Sequence, residues 1–346
     1  MSDVKNAIEA VRRQITDEPG AFHRLARLRR RRQRRRQVTF AAVAIVIAAA
    51  GMWAGTRAFS TLEPHHKPAA PPSLASGTSE RIVFARDDGI YAMSPNGSDV
   101  RQLVVGPGDS HPELSPDGTR VVFIGNSQGN VYVANADGSN VTQLTSDGYD
   151  TSATWSPNGS LIAFTREQAT GGGVHVMNAD GSQVRRIWGE GTLGLQVAWS
   201  PTGAKLAYVG YSQTQNGNSP THLYVMNSDG TGVTRIGPDD ARNPAWSPDG
   251  SQIAFIQMDS VDIYRINADG SGKELVANLS GVTNGLPLTE SPSWAPDGTK
   301  LAFAAGKASD SMGVYRVNVD GSGLIRLTDG YDPAWGTVAS QSSPLP

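Results

Sequence analysis

The chain has 346 residues, no cysteine and a formal net charge of −2. The lack of cysteine excludes disulfides, thiolate metal ligands and a cysteine nucleophile. The small net charge conceals two opposed regions. Residues 1–59 hold 13 Lys and Arg against 4 Asp and Glu, and residues 60–346 hold 17 against 28. The acidic larger part argues against nucleic acid as a partner, because phosphate binding needs a clustered basic surface.

Residues 2–18 read as an amphipathic helix, with Ser2 or Asp3 as N-cap and Val4, Ile8, Val11 and Ile15 on one stripe. Pro19-Gly20 interrupts it. A basic stretch follows, with nine arginines between Arg24 and Arg36. Residues 1–36 are therefore predicted to be a cytoplasmic basic helical region that sits on anionic lipid head groups. An alternative role for it is docking a cytosolic protein.

From Gln37 to Thr56 twenty consecutive residues carry no charge. In a helix they span about 30 Å, one hydrocarbon core. Residues 37–59 are read as an uncleaved transmembrane signal-anchor. The excess of arginine before it puts the N-terminus in the cytoplasm and the remainder outside. Residues 60–79, with four prolines and no apolar period, read as an extended, disordered spacer. His65 and His66 within it lack the further ligands a metal site needs.

Residues 80–336 are one repeating unit. WSPDGSQIAF (Trp246–Phe255) recurs as LSPDGTRVVF (Leu114–Phe123), WSPNGSLIAF (Trp155–Phe164), WSPTGAKLAY (Trp199–Tyr208) and WAPDGTKLAF (Trp294–Phe303). A second phrase alternates with it, as in VYVANADGSNVTQLT (Val131–Thr145) and IYRINADGSGKELV (Ile263–Val276). A period of about 40 to 50 residues is the length of one propeller blade. Ser-Pro-Asp-Gly and Asn-x-Asp-Gly-Ser are turn chemistry: proline fixes φ, aspartate bonds local backbone, and glycine supplies positive φ. The repeated aspartates are thus predicted to form turns rather than a ligand site.

The fragments at the two ends fix the count. The unit opens on ERIVF, the tail of the first phrase, and closes on DPAWG, its head. Joining them gives an all-β fold of six four-stranded blades, with Asp332–Gly336 completing the first blade and closing the ring. Residues 337–346 are left as a disordered tail. The alternating phrases resemble the WD-repeat-like motifs of TolB-like β-propellers. That resemblance implies a periplasmic or cell-surface interaction module, with lyases and hydrolases among related propellers. The layout of basic N-terminus, single span and repeat ectodomain is similar to that of a group of actinobacterial membrane proteins, some laid out like anti-sigma factors.

GNSQG at Gly125–Gly129 matches the Gly-x-Ser-x-Gly elbow but falls between two strands of a blade, where the elbow has no helix to open. His175 takes the place of a strand tyrosine and is predicted to be packed. The repeats stop agreeing just ahead of each leading strand, at Asp109, His111, Asp150, Gln196, Arg242, Asn243, Glu290 and Asp332. These eight are the predicted ligand- or partner-binding residues, ringed at the mouth of a central channel. The longer connections Val209–His222 and Ala277–Glu290 are secondary contact candidates. The expected protein is a membrane-anchored, extracytoplasmic binding module for a protein or cell-envelope ligand, not an enzyme and without cofactor or metal. Two alternatives stand beside it. One is a transmembrane sensor whose N-terminus holds a cytosolic regulator such as a sigma factor. The other is a metal-dependent propeller lyase or hydrolase, with His111 joined by Asp150, Glu290 or Asp332 around the ion.

Overall fold

A computed structural model describes residues 67–68 and 79–338, apart from 126–128, 147–148, 168–171, 189–191, 213–220, 258–259, 261, 284–286 and 308–311. The predicted N-terminal helices and membrane span lie outside the described residues. Among the described residues no helix is long and apolar enough to cross a membrane.

The repeat folds into six antiparallel sheets. In each, the strand carrying the first phrase's Trp (Leu114 in blade 2) is innermost. In blade 5 the strands run Ala241–Trp246, Gln252–Gln257, Asp262–Asn267 and Glu274–Ala277, each paired with the next. Blade 1 takes its innermost strand from the other end of the chain. Tyr331–Val338 pairs with Ser79–Arg86, in the register Ile82 with Trp335 and Val83 with Ala334. The ring therefore closes as the broken copies foretold, and the last strand runs two residues past the expected Gly336. One feature exceeds the expectation. Lys67–Pro68, in the segment read as a spacer, pairs with Val104–Val105 as a fifth, outer strand of blade 1.

The second strand of each blade explains its unbroken apolar run. A blade is covered on both faces, so alternate side chains of one strand enter two different interfaces. Ile82 and Phe84 pack with Ala302 and Val314 of blade 6, while Val83 and Ala85 pack with Val121 and Phe123 of blade 2. Six such clusters, one at each interface, make a core shaped as a ring. Phe84, Phe123, Phe164, Phe255 and Phe303 are fully buried, each worth about 2–3 kcal/mol against exposure. Each phenylalanine meets a neighbouring ring from the second phrase. In blade 3 that ring is the buried His175, stacked on Phe164 at 5.4 Å between centroids, and burial lowers its pKa. The packed reading of His175 therefore holds.

Turn aspartates behave as read. Asp137 Oδ1 accepts the Ser139 amide at 2.9 Å and its hydroxyl at 2.6 Å, and Asp180, Asp229, Asp269 and Asp320 repeat the arrangement. In the first phrase Asp117 and Asp249 accept from the serine before and the hydroxyl residue after. These bonds hold the carboxyls below their ordinary pKa. Their stabilisation is present above the unfolded carboxylate range and is lost as pH falls through the lowered values. Gly138 adds a packing reason for the motif. Its φ is +88°, and a Cβ there would stand 1.9 Å from the Leu103 carbonyl oxygen of the preceding blade.

Candidate functional site

The innermost strands surround a central channel with a cavity of about 460 Å³. Its wall is built from equivalent positions of the first phrase, counted back from the tryptophan. Three residues before that position stand His111, Ser152, Gln196, Asn243, Ser291 and Asp332, one from each blade. One step on come Pro112, Ala153, Val197, Pro244, Pro292 and Pro333, all apolar. At the next step are Glu113, Thr154, Ala198, Ala245, Ser293 and Ala334. The channel is thus layered: a polar mouth, an apolar collar, then a mixed row ahead of the tryptophans.

The local backbone explains why the mouth residues turn inward. Every innermost pairing carries a register shift near this position. His111, Asn243, Ser291 and Asp332 have φ between +48° and +51°, and each of the four is followed by proline. Proline donates nothing to the ladder and disfavours the right-handed helical region for the residue before it, so it fits at a bulge. Asn and Asp tolerate the left-handed conformation better than most residues.

The mouth side chains bond to one another around the ring. The Asn243 amide donates to Gln196 Oε1 at 3.4 Å, and Asn243 Nδ2 lies 3.5 Å from Ser291 Oγ. Ser291 Oγ donates to Asp332 Oδ1 at 3.0 Å. Asp332 Oδ2 then receives the His111 amide at 3.4 Å, with His111 Nδ1 at 3.3 Å. Asp332 is almost fully buried, whereas the His111 side chain is 25 % exposed. The chain of contacts joins blades 4, 5, 6, 1 and 2.

Four of the eight predicted residues, His111, Gln196, Asn243 and Asp332, are brought together here. The other four are placed differently. Asp150 is fully buried inside blade 3, held by Arg166 through Nε at 2.7 Å and Nη2 at 3.2 Å and by the Thr145 hydroxyl at 2.6 Å. Asp109 is also fully buried, just before the innermost strand of blade 2. Arg242 is half-buried and pairs through its backbone with Ile256. Glu290 pairs through its backbone with Ala304. His111 and Asp332 meet, but Asp150 is engaged elsewhere, and among the described residues no group of three or more acidic or histidine side chains is placed to hold a metal. Of the secondary candidates, residues 213–220 and 284–286 lie outside the described residues, as do 126–128 of GNSQG.

Sequence reasoning missed Ser152, Ser291 and Glu113. Glu113 reaches across to blade 3, where Oε1 accepts the Trp155 amide and the Thr154 hydroxyl, both at 3.1 Å. Burial pushes its carboxyl up to about 7, against the pull of those two hydrogen bonds. The folded chain therefore keeps this proton where the unfolded chain loses it. Glu113 costs no stability below the ordinary value of 4.5, and its penalty grows as pH rises from there to about 7.

Residues 101–218 match the family model of the TolB β-propeller domain. Among solved structures the chain is similar to TolB from Acinetobacter baumannii, at 17% identity and a TM-score of 0.59, covering 77% of this chain and 68% of that one. It is also similar to a structure from Agrobacterium tumefaciens assigned to TolB, at 20% identity and a TM-score of 0.56, covering 75% and 92%. A chain of a nidogen/laminin complex shares 15% identity with a TM-score of 0.59, covering 76% of this chain and all of that one. No curated protein matches the chain. At these identities the likeness concerns the fold, and the chain is a six-bladed β-propeller of TolB-like architecture.

Proposed function

We propose that the chain is a membrane-anchored, extracytoplasmic binding module whose protein ligand engages the mouth of the propeller channel. The observation that carries this reading is the ring of six polar side chains, of five different types, at one equivalent position. The surrounding repeats agree closely, because packing and turn geometry demand it. His, Ser, Gln, Asn, Ser and Asp at the channel mouth satisfy no shared packing need. Such a ring gives directional hydrogen bonding to one occupant in one orientation. The TolB-like fold, and the similar propeller found in a nidogen/laminin complex, support a protein as that occupant. Anchoring by residues 37–59, with residues 1–36 in the cytoplasm, rests on the uncharged span and the arginines before it.

One experiment in intact cells addresses both parts. The chain has no cysteine, so a single Val233→Cys at an exposed outer turn gives a unique label site. A membrane-impermeant maleimide should label it from outside, and labelling only after lysis contradicts the topology. Crosslinking in the same membranes should capture a partner whose yield drops about tenfold or more in the variant carrying His111→Asn and Gln196→Ala. That variant should melt within a few degrees of the parent, because asparagine tolerates the left-handed backbone and Gln196 is only half-buried. Undiminished capture contradicts the channel mouth as the site.

A further inference from the structure

Among the described residues the channel is lined by acidic side chains and by no lysine or arginine. The described residues around it include two carboxylates, Glu113 and Asp332, and the imidazole of His111, but no lysine or arginine. Asp332 is engaged by its neighbours, as described above. Glu113 is not so balanced: both hydrogen bonds it accepts fall on Oε1, and among the described residues none reaches Oε2. A desolvated carboxylate lacking a counter-ion is an unfavourable arrangement that an opposite charge relieves.

We propose that the channel receives the side chain of a lysine carried on a loop of the protein ligand. Its ammonium group would pair with Glu113, and its stem would be sheathed by the apolar collar. This rests on the channel reading of the preceding section and adds the chemistry of the occupant. The layering supports it. Glu113 lies two residues inward of the mouth, about 6 Å along the strand, a depth that a flexible four-carbon stem spans. Between them stand Pro112, Pro244, Pro292 and Pro333 with Ala153 and Val197, surfaces that suit methylene groups and not a charge. Gln196 Nε2 and Asn243 Oδ1, which take no part in the contacts around the ring, are left to bond the backbone of the loop that carries the lysine.

Other charged groups near Glu113 set the expected pH response. Asp332 and His111 share the mouth, Arg120 lies over the Trp155 ring at 4.5 Å, and Asp150 is held by Arg166. Cation binding needs Glu113 ionised. It should therefore strengthen as pH rises through about 7.

The full chain in detergent is titrated by calorimetry with end-blocked Gly-Lys-Gly, and with its norleucine and glutamate counterparts. The lysine peptide should bind about tenfold or more tightly than the norleucine peptide and should gain affinity between about pH 5.5 and 8. Glu113→Gln keeps an oxygen for the Thr154 and Trp155 donors, so it should fold, lose most of the lysine preference and flatten the pH response. Asp332→Asn should weaken the lysine peptide less. Norleucine binding as tightly as lysine, in a way that Gln196→Ala weakens, overturns the lysine assignment and leaves the channel as a site. Preferential binding of the glutamate peptide overturns it too. No binding by any of the three peptides overturns both.

Discussion

A chain ending at Gly330 should lose the cooperative unfolding transition of the propeller. The missing strand, Tyr331–Val338, is the innermost strand of blade 1 and its only covalent link to blade 6. Without it the Ser79–Arg86 strand becomes an unpaired inner edge. Three further ties vanish: the Trp335 amide to Ser293 Oγ of blade 6 at 2.8 Å and, within blade 1, the Trp335 indole to Glu80 at 3.0 Å and the Tyr331 hydroxyl to the Arg86 carbonyl at 3.0 Å. The cluster at the seam also loses Trp335 from its rim, opening fully buried Ile82 and Phe84 to water. The summed loss is about 5 kcal/mol or more, comparable with the whole stability of an ordinary domain. Thermal unfolding followed by circular dichroism checks it, with the peptide Tyr331–Val338 added back as a rescue. A truncated chain that melts within a few degrees of the parent would show that the ring is not held by this strand.

The second large effect falls on Asp150. Its substitution by alanine should destabilise the fold by about 3–5 kcal/mol, because the Arg166 guanidinium is left charged and unpaired in a dry site. The same carboxylate accepts from Thr145, whose hydroxyl also receives the Val131 amide of blade 2, so the loss loosens the junction between blades 2 and 3. Arg166→Leu in the Asp150→Ala background should recover a large share of the stability, since it removes the orphaned charge. Denaturant unfolding of the two variants is the measurement. A single variant as stable as the parent would mean that Asp150 is not the internal brace its contacts describe.

These results separate what the repeats disclosed from what they did not. Blade number and ring closure were legible because a propeller cannot hide a broken copy: ERIVF and DPAWG complement each other only if the ends pair. The aspartates of the turns were legible because Pro, Asp and Gly each have one use at that spacing. The site was half legible. Divergence among copies pointed to the stretch ahead of each innermost strand's tryptophan but did not say which of its residues faces the channel. In blade 6 attention fell on Glu290, whereas Ser291 enters the ring, and in blade 3 on Asp150, whereas Ser152 lines the wall. The reason is the bulge. In blade 6 a residue at φ near +50° before a proline breaks the simple alternation of sides, in blade 3 the register shifts between Asp150 and Ser152, and only counting back from the tryptophan recovers the register. Glu113 was visible by the same count, as the one carboxylate among Thr154, Ala198, Ala245, Ser293 and Ala334. The outer strand at Lys67–Pro68 carries no periodic pattern, since two paired residues are too few to show one.

The central claim is that the unlike ring at the channel mouth, and not the repeated phrase or the outer rim, meets the ligand. A photo-reactive phenylalanine analogue at position 196, at the mouth, and in a separate chain at position 233, on an outer turn, tests it most directly in native membranes. The expected result is a ligand adduct from position 196, suppressed by Asp332→Asn, with none from position 233. An adduct from position 233 with none from position 196 would contradict the account.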